Sequence, residues 1–243
     1  NKPQDDKPFF AYLAYTAPHW PLQVPDAWID RYKGTYDKGW EEIRKQRFEQ
    51  QKSFGLLNSD VQLTPLNRAV KSWDSLPTFQ KQTETKRAEL HAAMIELMDL
   101  HIGRLIEFLT DNIDRETIVI FVSDNGAEGN DIGAVGDNKY WIPATFDNRI
   151  ENMGKRDSYV WLGAGWAHAM VSPFRNYKSY TTEGGIKTPA IFYSTKNRFN
   201  NGIKNSVMSV MDIAPTILDI VDLKHPHVSE KELIPMTGKS ALS

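Results

Sequence analysis

An acidic residue and an amide, Asp124 and Asn125, follow the apolar run 117–122 after a single serine, Ser123. Because β-branched and aromatic residues dominate that run, it predicts a strand that is buried on both faces. Ligands of open α/β sheets bind beyond the carboxyl ends of strands, and carboxylate and amide oxygens are donors that Ca²⁺ or Mg²⁺ takes in proteins. Asp, Asn and Gly are also residues that turns prefer, so this stretch alone favours a turn over a metal site.

A histidine and a lysine elsewhere in the chain could complete such a site. His19 lies in a loop between two prolines, after the apolar run 9–15, which predicts a second buried strand. For His19 taken alone, a functional and a purely structural role stay equally open. Lys178 precedes a Gly-Gly pair at 184 and 185 that permits a close backbone approach. Together with a metal ion, these side chains could bind the oxygens of an anionic substrate and protonate its leaving group.

Two other polar residues have structural explanations. His101 lies on the apolar stripe of a predicted helix over 86–112, which favours a core or half-buried histidine over a ligand. Asp212 precedes a predicted helix over 214–221, which favours a helix cap over a catalytic group.

The order of these elements predicts how the site is positioned. The run 9–15, the helix 86–112 and the strand 117–122 predict a βαβ crossover and a mostly parallel central sheet flanked by helices. Shorter strands are predicted at 186–194 and 206–211.

Two long segments lack strong periodicity. Residues 25–78 are polar and broken, and they predict an insertion that crosses the surface. Residues 128–180 predict irregular loops that form an active site, since long structureless segments in a compact domain are usually functional. Their tryptophans argue against disorder because indole rings need burial. We expect residues 1–243 to form a single domain.

Composition excludes several classes of protein. Among 243 residues, Lys+Arg number 29 and Asp+Glu number 31, so the net charge is −2 and no strong field favours a nucleic acid or an anionic membrane. No apolar run reaches the roughly 18 residues of a membrane-spanning helix. The absence of Cys excludes disulfides, thiolate metal sites and a cysteine nucleophile within the chain.

Several segments carry a likeness to a known family. They include Thr-Ala-Pro-His ending at His19, Phe-Val-Ser-Asp-Asn-Gly-Ala-Glu over 121–128 and Phe-Arg-Asn-Tyr-Lys ending at Lys178. They also include residues 94–99, 102–104, 182–185 and 211–216. With these motifs in this order, the chain resembles the type I sulfatases of the alkaline phosphatase superfamily. Around residues 165–167 and the Phe-Arg-Asn-Tyr-Lys segment it is most similar to the bacterial arylsulfatases.

The resemblance implies a fold, a cofactor and roles for individual residues. The fold would be part of an alkaline-phosphatase-like α/β sandwich that lacks the N-terminal strands. Asp124 and Asn125 would be two of the ligands of a Ca²⁺ ion. His19 and Lys178 would be catalytic and would bind the sulfate group of a small-molecule sulfate ester, with His19 near the ester oxygen. For His168, a place in the substrate pocket and a packing role stay equally open.

The chain departs from the family pattern in one important way. The family's nucleophile is a formylglycine made from Cys or Ser in a Cys/Ser-x-Pro-x-Arg motif, and neither version occurs here. The paired aspartates that complete the calcium site are also missing, and Ca²⁺ takes roughly six to eight oxygens. We therefore expect an incomplete catalytic domain of a longer sulfatase, inactive alone and prone to self-association through exposed sheet edges.

Other functions stay open at this point. A phosphate or phosphonate monoester hydrolase of the same superfamily would act on a similar tetrahedral anion. A non-catalytic fragment or pseudo-enzyme could bind anions without turnover. The compartment does not follow from these residues, although family resemblance would be compatible with a periplasmic or secreted protein.

Overall fold

The computed structural model describes residues 7–224 and 234–242 and shows a mixed helix and sheet architecture. Contacts divide the chain into two compact units, Asn1–Asn200 and Asn201–Ser243. In order along the chain, the first unit contains α1 (Gly39–Ser53), α2 (Thr78–Asn112), β1 (Ile118–Val122), α3 (Asn138–Thr145), α4 (Ala164–Met170), α5 (Glu183–Ile186) and β2 (Ala190–Ser194). The second unit contains α6 (Ile213–Ile220). Short 3₁₀ turns lie at Asp26–Trp28, Trp73–Ser75, Ile132–Ala134 and Val210–Asp212.

The sheet in the described residues has two strands and is antiparallel. β1 and β2 pair with Ile118 opposite Ser194 and Val122 opposite Ala190. The strand predicted at 117–122 is therefore confirmed. The strand predicted at 186–194 is confirmed only over Ala190–Ser194, because Ile186 belongs to the short helix α5. The prediction that β1 is buried on both faces is wrong, because its residues are half-buried and Val122 is exposed.

The predicted strand at 9–15 is not observed, and this removes the basis of the predicted βαβ crossover. The segment has no regular secondary structure, and its aromatic rings are exposed, up to 83% for Tyr12. A strand forms when its backbone N–H and C=O groups find a partner strand. No strand in the described part of the chain pairs with this segment, so no parallel sheet is formed there.

The long helix α2 is confirmed and begins earlier than predicted, after Pro77 rather than at residue 86. Its apolar stripe is buried only in the N-terminal half, where Leu90 and Met94 lie in the core. In the C-terminal half Phe108 is exposed, and so is His101. The prediction of a core or half-buried His101 is therefore wrong, because burial in this half of α2 is confined to Leu109 near its end.

The larger core is built around three tryptophans. Trp40 on α1, Trp73 and Trp166 on α4 pack edge to face with ring centroids 5.0 to 5.7 Å apart. Their burial removes large apolar surfaces from water, and the indole N–H of Trp166 donates to the Glu84 carbonyl at 2.7 Å. Two of the three come from the segment 25–78, so that segment contributes to the core as well as to the surface.

A second core fixes the loop that carries His19. Leu22, Leu90 and Met153 are buried together in this cluster. The backbone N–H of Leu22 donates to the Val160 carbonyl at 2.8 Å. The side-chain amide of Gln23 donates to the Ser158 carbonyl at 2.8 Å. These contacts tie the chain directly after the His19 loop to the segment 153–160.

In the second unit, Asp212 has a structural role, although it does not cap α6 as the sequence predicts. It occupies the N-cap position of α6 without a side-chain hydrogen bond to that helix. Its carboxylate instead accepts from the backbone N–H of Ser209 at 2.7 Å, in the capping box of the 3₁₀ turn Val210–Asp212. Its carboxylate also accepts from the backbone N–H of Lys239 at 2.8 Å. The strand predicted at 206–211 is not observed, since these residues lead into a 3₁₀ turn.

Two histidines lie buried in the first unit, His91 on α2 and His168 on α4. The Nε2 of His168 accepts from the backbone N–H of Asn176 at 3.2 Å, whereas the Nδ1 atoms of both rings have no hydrogen-bond partner among the described residues. Burial lowers the pKa of each ring to about 4, with a smaller contribution from a nearby arginine. Both rings are therefore neutral in the folded chain.

No helix in the described residues combines the length and the apolar character that crossing a bilayer requires.

We expect the buried histidines to make the chain less stable in mild acid. The unfolded rings take up protons below a pKa of about 6.5 while the folded rings stay neutral down to about 4. The free energy of unfolding is thus highest above about pH 6.5 and falls as the pH decreases towards 4. Between about pH 7 and pH 5 each ring should contribute a loss of about 1–2 kcal/mol, measured by urea unfolding.

The variant His168→Gln removes one titrating ring and keeps an acceptor for the Asn176 N–H. It should lose about 1–2 kcal/mol less than the wild type over the same pH interval. The control is His101→Gln, because His101 is exposed on α2. Equal pH dependence in wild type and His168→Gln would contradict this explanation.

The exposed segment 9–15 leads to a prediction about association. Apolar rings without cover and unpaired strand edges favour pairing with other chains. We expect the apparent mass of the chain in light scattering to rise with concentration across the micromolar range. Tyr12→Lys should reduce this rise, whereas Phe54→Lys, at an exposed ring on another part of the unit, should not. A monomer at all concentrations would argue against the prediction.

Candidate functional site

Three polar side chains from separate parts of the first unit converge. The Nζ of Lys178 lies 3.1 Å from Nε2 of His19 and 3.0 Å from Oε2 of Glu128. Nε2 of His19 lies 3.9 Å from the same Glu128 oxygen. The side chain of Glu128 is 12% exposed, whereas that of His19 is 39% exposed and faces solvent. The structure thus brings together His19 and Lys178, the two residues predicted to bind an anion, and places the less exposed carboxylate of Glu128 next to both.

The hydrogen bonds of this cluster define the tautomer of His19. A lysine ammonium can only donate, so Nε2 of His19 accepts the hydrogen bond from Lys178. The proton of the neutral ring then lies on Nδ1, which donates to the Trp20 carbonyl at 3.1 Å. Lys178 therefore connects a neutral imidazole and a carboxylate through its N–H bonds.

Backbone contacts between two loops place Lys178 next to Glu128. The backbone N–H of Lys178 donates to the Ala127 carbonyl at 3.0 Å, one residue before Glu128. The N–H of Gly126 donates to the Gly185 carbonyl at 2.9 Å. A Cβ on Gly126 would overlap the carbonyl oxygen of Gly184, so the close approach of the two loops requires a glycine at position 126. At Gly184 and Gly185 a Cβ would overlap the carbonyl oxygens of Asn176 and Tyr180, respectively. The close approach predicted for the Gly-Gly pair is confirmed.

The predicted metal ligands lie directly after β1. Asp124 is exposed, and no hydrogen bond or ion pair to its carboxylate occurs among the described residues. The side-chain amide of Asn125 donates to the Gly126 carbonyl at 3.0 Å, and no donor to its side-chain oxygen occurs among the described residues. Two hard oxygens without protein partners fit Ca²⁺ as part of a site. In the described residues no group of three His, Cys, Asp or Glu residues could hold a metal ion.

His168 is not part of this cluster. Its ring is fully buried on α4, where it packs edge-on against Tyr177 at 6.4 Å between centroids. Its Nε2 is occupied by the Asn176 N–H. The alternatives for this residue were a pocket and packing, and its burial favours packing. It still supports the site, because it holds the backbone two residues before Lys178.

Glu128 is the site residue for which the motifs predicted no role. It belongs to the segment 121–128, but a single acidic residue in a loop carries no signal about its partner. Its distance from Lys178 in the chain is 50 positions, and only the paired loops bring the two together.

Comparisons with known proteins bear on this arrangement. A family model described as Sulfatase matches residues 1–223. An arylsulfatase of Klebsiella aerogenes is 35% identical over 239 residues, which cover 97% of this chain and 51% of that protein. An uncharacterized sulfatase of Schizosaccharomyces pombe is 43% identical over 222 residues, which cover 90% of this chain and 40% of that protein.

An uncharacterized sulfatase of Escherichia coli is more distant, at 25% identity over 222 residues. The chain thus spans about half the length, or less, of the curated relatives it matches. The segments that meet at His19, Glu128 and Lys178 all lie within the matched residues. The resemblance stated from the motifs is confirmed, and the chain belongs to the sulfatase family.

Proposed function

We propose that the protein that contains this chain hydrolyses sulfate esters in the manner of an arylsulfatase, with His19 and Lys178 acting on the sulfate group. The observation that carries this proposal is the contact of Lys178 with both His19 and Glu128. These residues come from three separate family segments and meet at a solvent-facing point. An arylsulfatase of Klebsiella aerogenes among the relatives supports the choice of ester.

Lys178 and Glu128 would act as one charged pair. The ammonium supplies a positive charge and N–H donors for the oxygens of a sulfate group. The carboxylate of Glu128, less exposed than its partners, holds the ammonium in one orientation. Preorganised charge stabilises a transition state better than a mobile side chain, because no reorganisation is needed during the reaction.

His19 would protonate the departing oxygen of the ester. Without substrate its Nε2 accepts a hydrogen bond from Lys178. When a sulfate group takes the Lys178 N–H donors, Nε2 is released and can bind a proton from solvent, to which the side chain is partly open. The protonated ring can then donate to the alkoxide or phenoxide as it leaves. The Nδ1–H bond to Trp20 keeps the ring oriented through this exchange.

Asp124 and Asn125 would hold a Ca²⁺ ion together with ligands outside the described residues. The bound ion would polarise a sulfate oxygen. We infer that a formylglycine, for which this chain has no Cys precursor, is the nucleophile of the whole protein. The 243-residue chain alone should then be inactive. The unpaired segment 9–15 supports the further inference that an alkaline-phosphatase-like parallel sheet forms only in the whole protein.

Substitutions in the protein expressed from its complete gene test the roles of these residues. His19→Ala and Lys178→Ala should each lower kcat/KM for an aryl sulfate by about a hundredfold or more, because each removes a group that acts on the transition state. Glu128→Gln should lower kcat by about tenfold, since Lys178 keeps its charge and loses its orientation. Initial rates of phenol release provide the measurement.

The matched controls are His101→Ala and Lys45→Ala, at exposed positions on α2 and α1, which should leave the rate unchanged. Undiminished turnover in both His19→Ala and Lys178→Ala would refute the assigned roles. Hydrolysis of phosphate esters in preference to sulfate esters would replace the proposed activity with that of a phosphomonoester hydrolase.

A further inference from the structure

A cleft of about 440 Å³ opens in the first unit beside α3. Its apolar wall is formed by Ile142, Phe146 and Trp161, and Lys139 lies at its polar side. Clefts of roughly 300–1,000 Å³ with apolar and aromatic walls are typical of small-molecule sites. Nothing in the roles of His19, Lys178 and Glu128 uses this cleft.

A continuous row of aromatic rings connects the cleft with His19. The ring of His19 contacts Trp20 at 4.5 Å between centroids, and Trp20 contacts Tyr159 at 5.7 Å. Tyr159 contacts Phe146 at 4.9 Å, and Phe146 lines the cleft. Trp141 completes the far end, 5.1 Å from Phe146 and 5.4 Å from Tyr159. We call these residues, His19, Trp20, Tyr159, Phe146 and Trp141, the aromatic row.

The aromatic row differs from the tryptophans of the core in its exposure. Trp40, Trp73 and Trp166 are buried and fill the space between helices. Every ring of the aromatic row is at least partly exposed, and Trp141 is 46% exposed. A partly exposed series of rings presents apolar faces to a ligand instead of closing a core.

The backbone beneath the aromatic row is held in place. The side-chain amide of Asn148 accepts from the Tyr159 N–H at 2.7 Å and donates to the Tyr159 carbonyl at 3.0 Å. The guanidinium of Arg87 lies over the ring of Trp161 at 4.6 Å from its centroid. Arg87 is itself paired with Glu84 at 2.8 Å. Preorganised rings bind with a smaller loss of conformational entropy than mobile ones.

Two of the polar side chains at the cleft are already engaged with the protein, whereas the ammonium of Lys139 lies over the ring of Tyr140. Asn148 is bound to the backbone of Tyr159, and Arg149 forms a bidentate pair with Asp147. A sugar ring requires several hydrogen-bond partners for its hydroxyl groups, and unpaired polar groups are costly to bury. An aromatic or large apolar group needs none. The lining therefore favours a phenolic or bulky apolar group over a sugar.

We propose that the aromatic row and the cleft bind the organic part of the sulfate ester, and that they select esters of extended aromatic alcohols. This assignment rests on the proposed function, because it orients the ester with its sulfate at Lys178 and His19. Phe146 and Trp141 are then specificity-determining residues that lie away from the reacting atoms.

Binding of 2-naphthol to the 243-residue chain tests the subsite without any turnover. 2-Naphthol is the alcohol of an aromatic sulfate ester and carries no sulfate group, so it reports on the aromatic row alone. A titration followed by saturation-transfer NMR should show binding to the wild type. Phe146→Ala should weaken the Kd about five- to tenfold through loss of ring contacts. Tyr140→Ala, at a 68% exposed ring of α3 outside the row, should leave it unchanged.

A second variant, Trp141→Ala, provides the test if Phe146→Ala does not fold, since Trp141 is 46% exposed. Circular dichroism shows whether each variant is folded. A weaker Kd in either folded variant supports the subsite. No binding of 2-naphthol to the wild type, or equal binding in wild type and both variants, overturns it. In the whole protein, Phe146→Ala should raise KM for 2-naphthyl sulfate more than for methyl sulfate.

The two proposals fail separately. If 2-naphthol binds through Phe146 and no sulfate ester is hydrolysed, only the proposed function is lost. If sulfate esters are hydrolysed and neither Kd nor KM responds to Phe146→Ala or Trp141→Ala, only the subsite is lost.

Discussion

The ammonium of Lys178 is the group on which the candidate site depends. It lies between the carboxylate of Glu128 at 3.0 Å and the imidazole of His19 at 3.1 Å. A partly exposed ion pair of this kind adds little to stability, about 0–1 kcal/mol. Its importance lies in geometry, because one cation fixes the orientation of the carboxylate, the tautomer of the histidine and the point where an anion can bind.

That geometry is imposed by the backbone. The loop after β1 and the loop that ends in α5 approach so closely that a side chain at Gly126 would collide with Gly184. Direct N–H to carbonyl bonds between the two loops then place Glu128 and Lys178 side by side. His19 reaches them from a third segment, whose course is fixed by the bond from Leu22 to Val160. The same segment carries Trp20, so the aromatic row starts from this anchored loop.

The sequence predicted those features that depend on residue types within a short stretch of chain. The strands at β1 and β2, the helix α2, the structural role of Asp212 and the importance of Gly184 and Gly185 all follow from residue types within a short window. The absence of a strand at 9–15 could not be predicted in this way, because a strand also requires a partner strand, and none pairs with this run among the described residues. The contact between His19 and Lys178 spans 159 positions, so only the family motifs indicated it. Glu128 and the aromatic row could not be found without coordinates, since each depends on several distant segments.

The tautomer of His19 tests the central claim most directly, because the hydrogen bond from Lys178 to Nε2 and the hydrogen bond from Nδ1 to the Trp20 carbonyl both require the ring proton on Nδ1. Nitrogen-15 NMR of the histidine side chains in the 243-residue chain, above the pH at which imidazole is protonated, reports which nitrogen carries the proton. The arrangement of Lys178, His19 and Glu128 predicts an Nδ1–H tautomer for His19 in the wild type. An Nε2–H tautomer in the wild type would contradict it, because Nε2 could then not accept from Lys178.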